Sequence, residues 1–306
     1  MAQRQPRPTL HVLIRLGIAL ACLVAGLGAQ TPAPTSTVTP FFFLQMSDPQ
    51  FGMYTSDRDF AQETVNFEMA VATANRLKPA FVIVTGDLVN KAGDAAQIAE
   101  YRRIGARLDA SIPLYQVAGN HDVENAPTPE SVAAYEKLFG PDHYTFTHQG
   151  LVGIVLNSSV IHTPDKAPDR HAAQDRWLRN ELARVRRPGV QHVVVFQHHP
   201  WFLTTATERD QYFNIPLVRR TPLLALFHEH GIKFLVSGHY HRNAVATDGD
   251  LTNVTTGPVG KPQGDNPQSG LRVFVVNDSG ISHRFYPLSD LPNQIDPTKP
   301  LPPGSR

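Results

Sequence analysis

The sequence predicts an α/β protein built as a four-layer α/β/β/α sandwich, in which two sheets lie between two layers of helices. Short apolar runs rich in Val, Ile and Phe, which are typical of buried strands, alternate with segments of helical periodicity. This alternation indicates βαβ units and a sheet covered on both faces. Further short alternating segments late in the chain indicate additional strands, partly antiparallel.

Five apolar runs are the predicted core strands, and each ends abruptly in polar residues. They span residues 41–47, 80–85, 113–118, 191–197 and 232–237. Helical patterns occupy residues 61–77, 94–109, 129–138, 171–186 and 217–230. The additional strands are predicted at residues 151–157, 243–247, 251–256, 271–277 and 281–286. The folded domain is therefore expected at residues 41–290, with a loose Pro-rich tail at 291–306.

Residues 1–29 have the pattern of a secretory signal peptide. Three arginines precede an uncharged apolar run at residues 16–28, which ends in small residues. This run of about thirteen residues is shorter than the ~20 that span a bilayer, so no stable membrane anchor is expected. We therefore expect an exported protein, periplasmic or secreted, with a Pro/Thr linker at residues 30–40. An uncleaved anchor or a lipoprotein is the alternative.

Composition argues against several classes of protein. The chain has 28 Lys and Arg against 27 Asp and Glu, and a formal charge of +1 argues against a nucleic-acid binder. A hydrophobic fraction of 41% at this low net charge argues against intrinsic disorder. The single cysteine, Cys22, excludes multi-cysteine metal sites. Any metal site must use imidazole, carboxylate and amide ligands, and the chain has 14 histidines.

Residue types that bind metals follow the predicted strands at their carboxyl ends. Ligands of open α/β sheets bind in the crevice beyond these ends, so residues far apart in sequence can meet there. Each residue alone is also compatible with a turn, a helix N-cap or a packed histidine. His239 and His241 are a stronger pair, because alternate residues of an extended segment point the same way. The joint pattern comprises Asp48, Gln50, Asp87, Asn120, His121, Asp122, His198, His239 and His241.

The order of these motifs resembles that of the calcineurin-like metallophosphoesterase superfamily. An early Asp is followed by Gly-Asp, Gly-Asn-His-Asp, a strand-end His and Gly-His-x-His, and the resemblance covers residues 41–286. Asp48-Pro49-Gln50 stands where most of the superfamily has Asp-x-His. This triplet is similar to that of the calcineurin-like-phosphoesterase-domain-containing Ser/Thr phosphatase subfamily. The family implies a dinuclear metal centre and hydrolysis of phosphate esters by metal-activated hydroxide.

The resemblance also assigns the metal ligands. One metal takes Asp48, Gln50, Asp87 and His241, and the other takes Asp87, Asn120, His198 and His239. Mixed imidazole and oxygen ligands favour Mn, Fe or Zn over calcium or magnesium. Because a Gln amide oxygen is a weaker ligand for Zn or Fe than imidazole, we predict a labile first metal, with manganese favoured.

His121 and Asp122 are the predicted catalytic residues. By resemblance, His121 protonates the leaving alkoxide or stabilises charge on the transferring group, and Asp122 orients its imidazole. A loop histidine and a turn acid are the alternatives. Substrate contacts are predicted for Asn120, His121 and Arg242, whose guanidinium matches phosphate oxygens. Further candidates for the pocket are His199, Trp201, Tyr212, Phe213 and Asn214, with plain core packing as the alternative for Trp201.

The predicted function is that of an exported, metal-dependent phosphatase that hydrolyses phosphate monoesters of a phosphoprotein or a small molecule. A phosphodiesterase or nuclease would use the same metal chemistry. The slightly acidic charge of the mature chain and the lack of a basic stripe weigh against polymeric nucleic acid as substrate. A metal-binding module whose Gln50 marks lost catalysis is a further alternative, and the retention of His121 argues against it.

Overall fold

The computed structural model describes residues 39–185, 187–265 and 267–302. The predicted signal peptide and linker residues 30–38 lie outside the described residues. Two sheets pack face to face, and helices cover the outer face of each. The predicted α/β/β/α sandwich is confirmed.

The elements of the described chain follow the predicted order. The strands are β1 (Phe41–Met46), β2 (Val82–Val84), β3 (Leu114–Gln116), β4 (Tyr144–His148), β5 (Leu151–Val155), β6 (His192–Phe196), β7 (Phe234–Ser237), β8 (Ala244–Asp248), β9 (Leu251–Thr255), β10 (Gly270–Asn277) and β11 (Gly280–Pro287). The helices are α1 (Ala61–Leu77), α2 (Ala95–Gly105), α3 (Asn120–Val123), α4 (Pro129–Phe139), α5 (Ser158–His162), α6 (Pro168–Arg184) and α7 (Leu217–Glu229). The short helices α3 and α5 were not predicted, because four or five residues are too few to show a helical period.

Each sheet combines parallel and antiparallel strands. The first has the strand order β11-β10-β1-β2-β3, and the second has the order β4-β5-β6-β7-β9-β8. Strands β1, β2 and β3 run parallel, as do β5, β6, β7 and β9. The antiparallel hairpins β8–β9 and β10–β11 were predicted late in the chain. The carboxyl ends of β1, β2 and β3 therefore share one edge of the first sheet, and those of β6 and β7 share one edge of the second.

Strand β1 shows how the layers are built. Leu44 and Met46 belong to the core between the first sheet and its helices. Phe43 points the other way, into the core between the sheets, where its ring stacks on Phe81 and Phe274 with centroid distances of 4.6 and 4.7 Å. Both faces of the strand are covered, so an almost uninterrupted apolar run is what this position requires.

Capping residues set several helix boundaries. Asp94 caps α2 by accepting hydrogen bonds from the backbone N–H groups of Ala96 and Gln97, so the helix begins one residue later than predicted. Pro168 opens α6 three residues before the predicted start, at a position where a proline costs no hydrogen bond. None of the helices in the described ranges is both long and apolar enough to cross a membrane.

Residues 291–302 pack on the domain, whereas we predicted a loose tail from residue 291. Leu291, Ile295 and Leu301 pack against the core between the first sheet and its helices. Arg76 donates a 2.8 Å hydrogen bond to the carbonyl oxygen of Pro292. These three side chains follow neither a helical nor a strand period, so their packing could not be predicted from a Pro-rich sequence.

Candidate metal centre

Loops after β1, β2, β3, β6 and β7 carry the predicted metal ligands. Because the carboxyl ends of these strands meet at one end of the sandwich, the loops converge although they span almost the whole domain. The side chains are no more than 4% exposed in each case: Asp48, Gln50, Asp87, Asn120, His198, His239 and His241. The structure therefore brings all seven predicted ligands into one buried site.

Two overlapping sets of donor atoms occur in this site. The ligand atoms of Asp48, Asp87 and His241 lie within 4.8 Å of one another, and so do those of Asp87, His198 and His239. Nε2 of His198 is 3.2 Å from Oδ2 of Asp87, and Nε2 of His241 is 3.5 Å from Oδ1 of Asp48. Asp87 belongs to both groups, as a carboxylate that bridges two cations must. We call Asp48, Gln50, Asp87 and His241 the first set, and Asp87, Asn120, His198 and His239 the second set.

Backbone carbonyl groups fix which nitrogen of each histidine is free to bind a metal. Nδ1 of His198 lies 2.8 Å from the carbonyl oxygen of Thr85, and Nδ1 of His241 lies 2.6 Å from another backbone carbonyl oxygen. A carbonyl oxygen only accepts, so both rings carry a proton on Nδ1, and Nε2 is left as the nitrogen that can bind a cation in place of a proton. His239 is reversed, since its Nε2 is 3.3 Å from the Tyr212 carbonyl oxygen and its Nδ1 faces Nε2 of His198 at 3.1 Å.

The two amides predicted as ligands are oriented by neighbouring asparagines. The Gln50 amide nitrogen donates to Oδ1 of Asn90 at 3.2 Å, and its Oε1 is buried with no hydrogen-bond partner among the described residues. The Asn120 amide nitrogen donates to Oδ1 of Asn125 at 2.8 Å, which leaves its Oδ1 3.0 Å from Nε2 of His198. A buried oxygen without a partner is costly unless a cation or donor reaches it. Both amides therefore fit metal ligation.

Left-handed backbone conformations aim most of these ligands. Asp48, Gln50, Asp87, His239 and His241 have φ angles of 47°, 40°, 49°, 65° and 55°. Non-glycine residues rarely adopt such angles, and they persist where the surrounding fold enforces them, often at functional sites. The fold thus holds these residues in an unfavourable backbone conformation, and this conformation orients their side chains.

Glycine permits two close approaches within the site. A Cβ atom at Gly238 would overlap Oγ of Ser47 and would lie 2.5 Å from Oδ2 of Asp48. A Cβ atom at Gly119 would overlap the Asp87 carboxylate and its backbone nitrogen. The Gly-Asn-His-Asp and Gly-His-x-His motifs therefore need glycine because the loops of different strands pass directly against each other.

The site concentrates negative charge that protons or metal ions must balance. Burial opposes a charge on His198, but the Asp87 and Asp48 carboxylates outweigh it and raise the pKa of this imidazole to about 9. Burial raises the pKa of Asp48, with the His241 and His198 imidazoles partly offsetting it. Burial also opposes the charge on Asp87, yet the neighbouring His198 outweighs it and holds the pKa of Asp87 well below its usual range. A divalent cation would compete with the His198 proton for these ligands.

Comparison with known proteins identifies the family. Residues 43–243 match the calcineurin-like phosphoesterase family. The chain belongs to this family. It is 39% identical over 268 residues to the Ser/Thr-protein phosphatases CPPED1 of Pongo abelii and Homo sapiens, with 82% of this chain and 85% of each relative covered. A purple acid phosphatase, PPD1 of yellow lupin (Lupinus luteus), shares the fold with a TM-score of 0.63 and 12% identity, with 84% of this chain and 53% of that one covered.

This calcineurin-like phosphoesterase is therefore a phosphatase, a hydrolase that acts on phosphate esters, with a candidate site for two metal ions. The resemblance predicted from the order of the motifs is confirmed. Both candidate donor groups consist of histidine and aspartate, the residue types that the sequence analysis expected at a metal site.

His121 and Asp122 follow Asn120 in α3, and the Asp122 carboxylate makes contacts other than the predicted one with the His121 ring. Nδ1 of His121 lies 2.6 Å from the carbonyl oxygen of Asn90, so this oxygen takes the orienting position that we predicted for Asp122. The Asp122 carboxylate instead accepts hydrogen bonds from the backbone N–H groups of Leu88 at 2.9 Å and Gly119 at 2.8 Å. Asp122 thereby ties the loops after β2 and β3 together.

The side chains that we considered for the substrate pocket lie in different environments. Tyr212 and Phe213 lie beside the metal ligands, with ring centroids 4.9 and 5.7 Å from that of His239. Trp201 is fully buried in the core between the second sheet and its helices, which agrees with core packing, the alternative to a substrate contact. The exposed Arg242 lies with its guanidinium carbon 5.3 Å from the Tyr240 ring centroid, and no contact with a metal ligand is described for it.

His199 is buried beside the second set, and Asn214 is buried in the loop that carries Tyr212. Nδ1 of His199 is 2.9 Å from the Ser158 hydroxyl, and its ring lies 4.3 Å from the ring of His239 between centroids. Burial holds the pKa of His199 well below its usual value. The Asn214 amide nitrogen donates to the Glu208 carboxylate at 2.7 Å. Both side chains thus support the loops of the site from within the protein.

A buried chain of hydrogen bonds beneath the first set was not predicted. Thr256 donates to the amide oxygen of Gln45 at 2.6 Å, and the Gln45 amide nitrogen donates to Oγ1 of Thr85 at 2.9 Å. Thr85 donates in turn to Ser47 at 2.8 Å, and the Ser47 hydroxyl donates to Oδ2 of Asp48. The sequence contained one indication of this chain, a glutamine within the apolar run of β1. A polar side chain at a buried position needs hydrogen-bond partners.

Proposed function

We propose that this phosphatase hydrolyses phosphate monoesters, of a phosphoprotein or of a small molecule, at a dinuclear manganese site. One observation carries the proposal. The aspartate and histidine donor atoms form two overlapping groups that share Asp87, and Oε1 of Gln50 is buried without a hydrogen-bond partner among the described residues. The Ser/Thr-protein phosphatase names of the relatives support a phosphoprotein as one substrate class.

The chain's own residues hold the reacting groups in place. Divalent cations bound to both sets would supply Lewis acidity toward the phosphoryl oxygens and lower the pKa of water at the site. The backbone N–H of His121 donates to Oδ1 of Asp87 at 2.9 Å, which fixes the bridging carboxylate. The carbonyl oxygen of Asn90 accepts from Nδ1 of His121, so the proton for the leaving alkoxide must come from Nε2 of the imidazolium form, which would return to the neutral ring with its proton on Nδ1.

An aromatic residue at the mouth of the site supports an organic phosphate ester as the substrate. Tyr212 is 56% exposed, which is unusual for so large an apolar ring. Its hydroxyl lies 3.4 Å from the Asn120 amide nitrogen. A phosphate group held at the metal centre would place its organic part against this ring.

We favour manganese because of the ligand chemistry of the first set. It contains two carboxylates, one amide oxygen and a single imidazole, a donor group that suits Mn²⁺ better than the softer zinc. Manganese is expected to restore activity to the metal-depleted enzyme at lower concentrations than magnesium or calcium. Elemental analysis of the active enzyme tests this assignment.

The substrate class can be tested with matched synthetic esters. Hydrolysis of p-nitrophenyl phosphate, bis(p-nitrophenyl) phosphate and a phosphoserine peptide is measured with added Mn²⁺. We expect higher kcat/KM for the monoester than for the bis-ester. A preference for the bis-ester would establish the phosphodiesterase alternative, and no turnover with any divalent metal would establish the metal-binding module.

We also propose that the enzyme is exported with residues 1–29 removed. The basic start, the short apolar run and the small residues at its end support this proposal. N-terminal sequencing of the protein purified from its native source should find a start near residue 30. A mature chain that starts at Met1 or Ala2 would contradict export by cleavage.

A further inference from the structure

A second cavity lies between edge strands of the two sheets and is lined by none of the metal ligands. Its volume is about 640 Å³, and strands β10 and β11 line one wall while β7, β8 and β9 line the other. Sites for small molecules have volumes of about 300–1,000 Å³. No acidic side chain occurs among the described residues that line this cavity.

Arg272 brings a buried positive charge to the cavity wall. Its side chain is 4% exposed. Nε donates to Thr256 at 2.7 Å, Nη1 to Nδ1 of His283 at 3.0 Å and Nη2 to Oδ1 of Asn243 at 2.6 Å. All three acceptors are neutral, and within the described ranges no carboxylate lies at ion-pair distance. Burial lowers the pKa of this guanidinium to about 9, so it stays cationic at neutral pH.

Arginine in protein interiors is almost always paired with an acid, because removing a charge from water is costly. The neutral acceptors of Arg272 satisfy three of its five N–H groups among the described residues but give its charge no carboxylate partner. The guanidinium carbon lies 5.9 Å from the Phe285 ring centroid, a cation–π contact that offsets only part of the cost of burial. An anion in the adjacent cavity would offset this cost. The guanidinium would retain one N–H on each terminal nitrogen for such an anion.

Other groups on the cavity wall also donate hydrogen bonds. Because Nδ1 of His283 accepts from Arg272, its Nε2 carries the proton of the neutral ring. Burial and the adjacent Arg272 lower the pKa of His283 to about 3, so the ring is neutral near pH 7. The Ser282 hydroxyl accepts from the backbone N–H of Leu301 at 2.9 Å, which leaves its own proton to donate. The exposed hydroxyl of Thr247 lies on the opposite wall.

We propose that this cavity is a binding site for a small molecule with a carboxylate or phosphate group and an apolar body. The anionic group would bind beside the guanidinium of Arg272, with the imidazole of His283 and the hydroxyl of Ser282 as further donors. Phe234, Ile281 and Leu301 also line the cavity and would contact the apolar body. Guanidinium geometry matches both kinds of oxyanion.

Direct binding measurements on the manganese-loaded enzyme test the site with two probes. Equilibrium dialysis counts the inorganic phosphate bound per chain, and calorimetry measures the affinity for octanoate. Arg272→Met removes the charge, and Thr247→Trp fills the cavity from an exposed position on β8. Arg284→Met is the matched control, since this arginine lies on β11 with its guanidinium over the Tyr286 ring and does not line the cavity.

We expect Arg272→Met and Thr247→Trp each to lose binding of one probe or both, with affinity weakened at least about tenfold. Loss confined to octanoate assigns a carboxylate ligand, and loss confined to phosphate assigns a phosphate ligand. The control should bind like the wild type, and kcat and KM for p-nitrophenyl phosphate should be unchanged in Thr247→Trp and Arg284→Met. Unchanged kinetics are not expected of Arg272→Met, because Nε of Arg272 donates to Thr256 at the start of the buried chain that reaches Asp48. If Arg272→Met does not fold, Thr247→Trp decides. Unchanged binding of both probes in the folded variants would overturn the proposal.

Discussion

The two sets of donors in the metal centre share Asp87 but differ in their other ligands. The first set adds a second carboxylate, one imidazole and the amide oxygen of Gln50. The second set adds two imidazoles, from His198 and His239, and the amide oxygen of Asn120. In the second set Nε2 of His198 lies 3.1 Å from Nδ1 of His239 and 3.0 Å from Oδ1 of Asn120, whereas Oε1 of Gln50 has no described partner.

This difference shows that one fold can place two donor sets of different composition side by side. Imidazole nitrogens bind zinc and iron more strongly than amide oxygens do, so the second set is suited to hold its cation tightly. The first set is suited to a harder and more exchangeable cation such as Mn²⁺. Its Asp48 carboxylate also depends on the buried chain from Gln45 to Ser47 for its orientation.

The largest expected effect follows from Asp87→Asn, which removes the carboxylate that both sets share. We expect both metals to bind weakly and hydrolysis to fall by at least about 10³-fold. Asp109→Asn is the control and should keep full activity, because this exposed carboxylate accepts hydrogen bonds from Ser111 and lies outside the site. Elemental analysis alongside kinetics checks the prediction. A variant that kept one full equivalent of metal would show that the two sets are independent.

His121→Gln should leave both sets intact and still impair catalysis. The loss of an acid for the leaving group predicts a fall in kcat of about 10²–10⁴-fold, with unchanged metal content. The fall should be larger for an alkyl phosphate than for p-nitrophenyl phosphate, whose phenolate leaves without a proton. His228→Gln is the matched control, because this exposed histidine contacts only the Asp248 and Asp250 carboxylates in the contacts described for its ring and lies outside the site. Equal losses for the two substrates would contradict the role as acid.

Metal removal should separate the two sets directly. Dialysis against EDTA is expected to leave the wild type with about one metal per chain, because the first set is the weaker. Gln50→His supplies an imidazole and should tighten the first metal about tenfold or more, so that this variant retains two. Gln62→His on the exposed face of α1 is the control. Two zinc ions that resist EDTA in the wild type would refute the inequality of the sets.

The smallest effect is expected for Ser47→Ala, which cuts the buried chain at its contact with Asp48. The carboxylate would lose an orienting donor, and the Mn²⁺ concentration for half-maximal activity should rise about tenfold. The second metal should be retained as in the wild type. Ser111→Ala is the control, because the hydroxyl of this exposed serine donates to Asp109 and lies outside the site. An equal loss of both metals would mean that the chain supports the whole site rather than the first set.

Much of the fold could be predicted from the sequence because its elements obey simple periods. The 17 residues of α1 were predicted without error, since both its length and its apolar spacing are typical of a helix. The path of residues 291–302 could not be predicted, because a few apolar anchors among prolines follow no period. Likewise α3, which carries Asn120 and His121, is only one turn long.

The sequence by itself determined which residues meet, since strand ends on one side of an α/β sheet must lie together and Gly-Asp, Gly-Asn-His-Asp and Gly-His-x-His each follow a strand. Only the tertiary structure decided which atom of each side chain is available to bind a metal. The tautomers of His198 and His239, the free oxygen of Gln50 and the partner of His121 depend on carbonyls and amides from other loops. Left-handed backbone angles at Asp48 and Asp87 likewise arise from packing between loops, and no local pattern encodes them. The tertiary structure also decided that no described carboxylate pairs with Arg272, because this depends on which side chains surround the guanidinium.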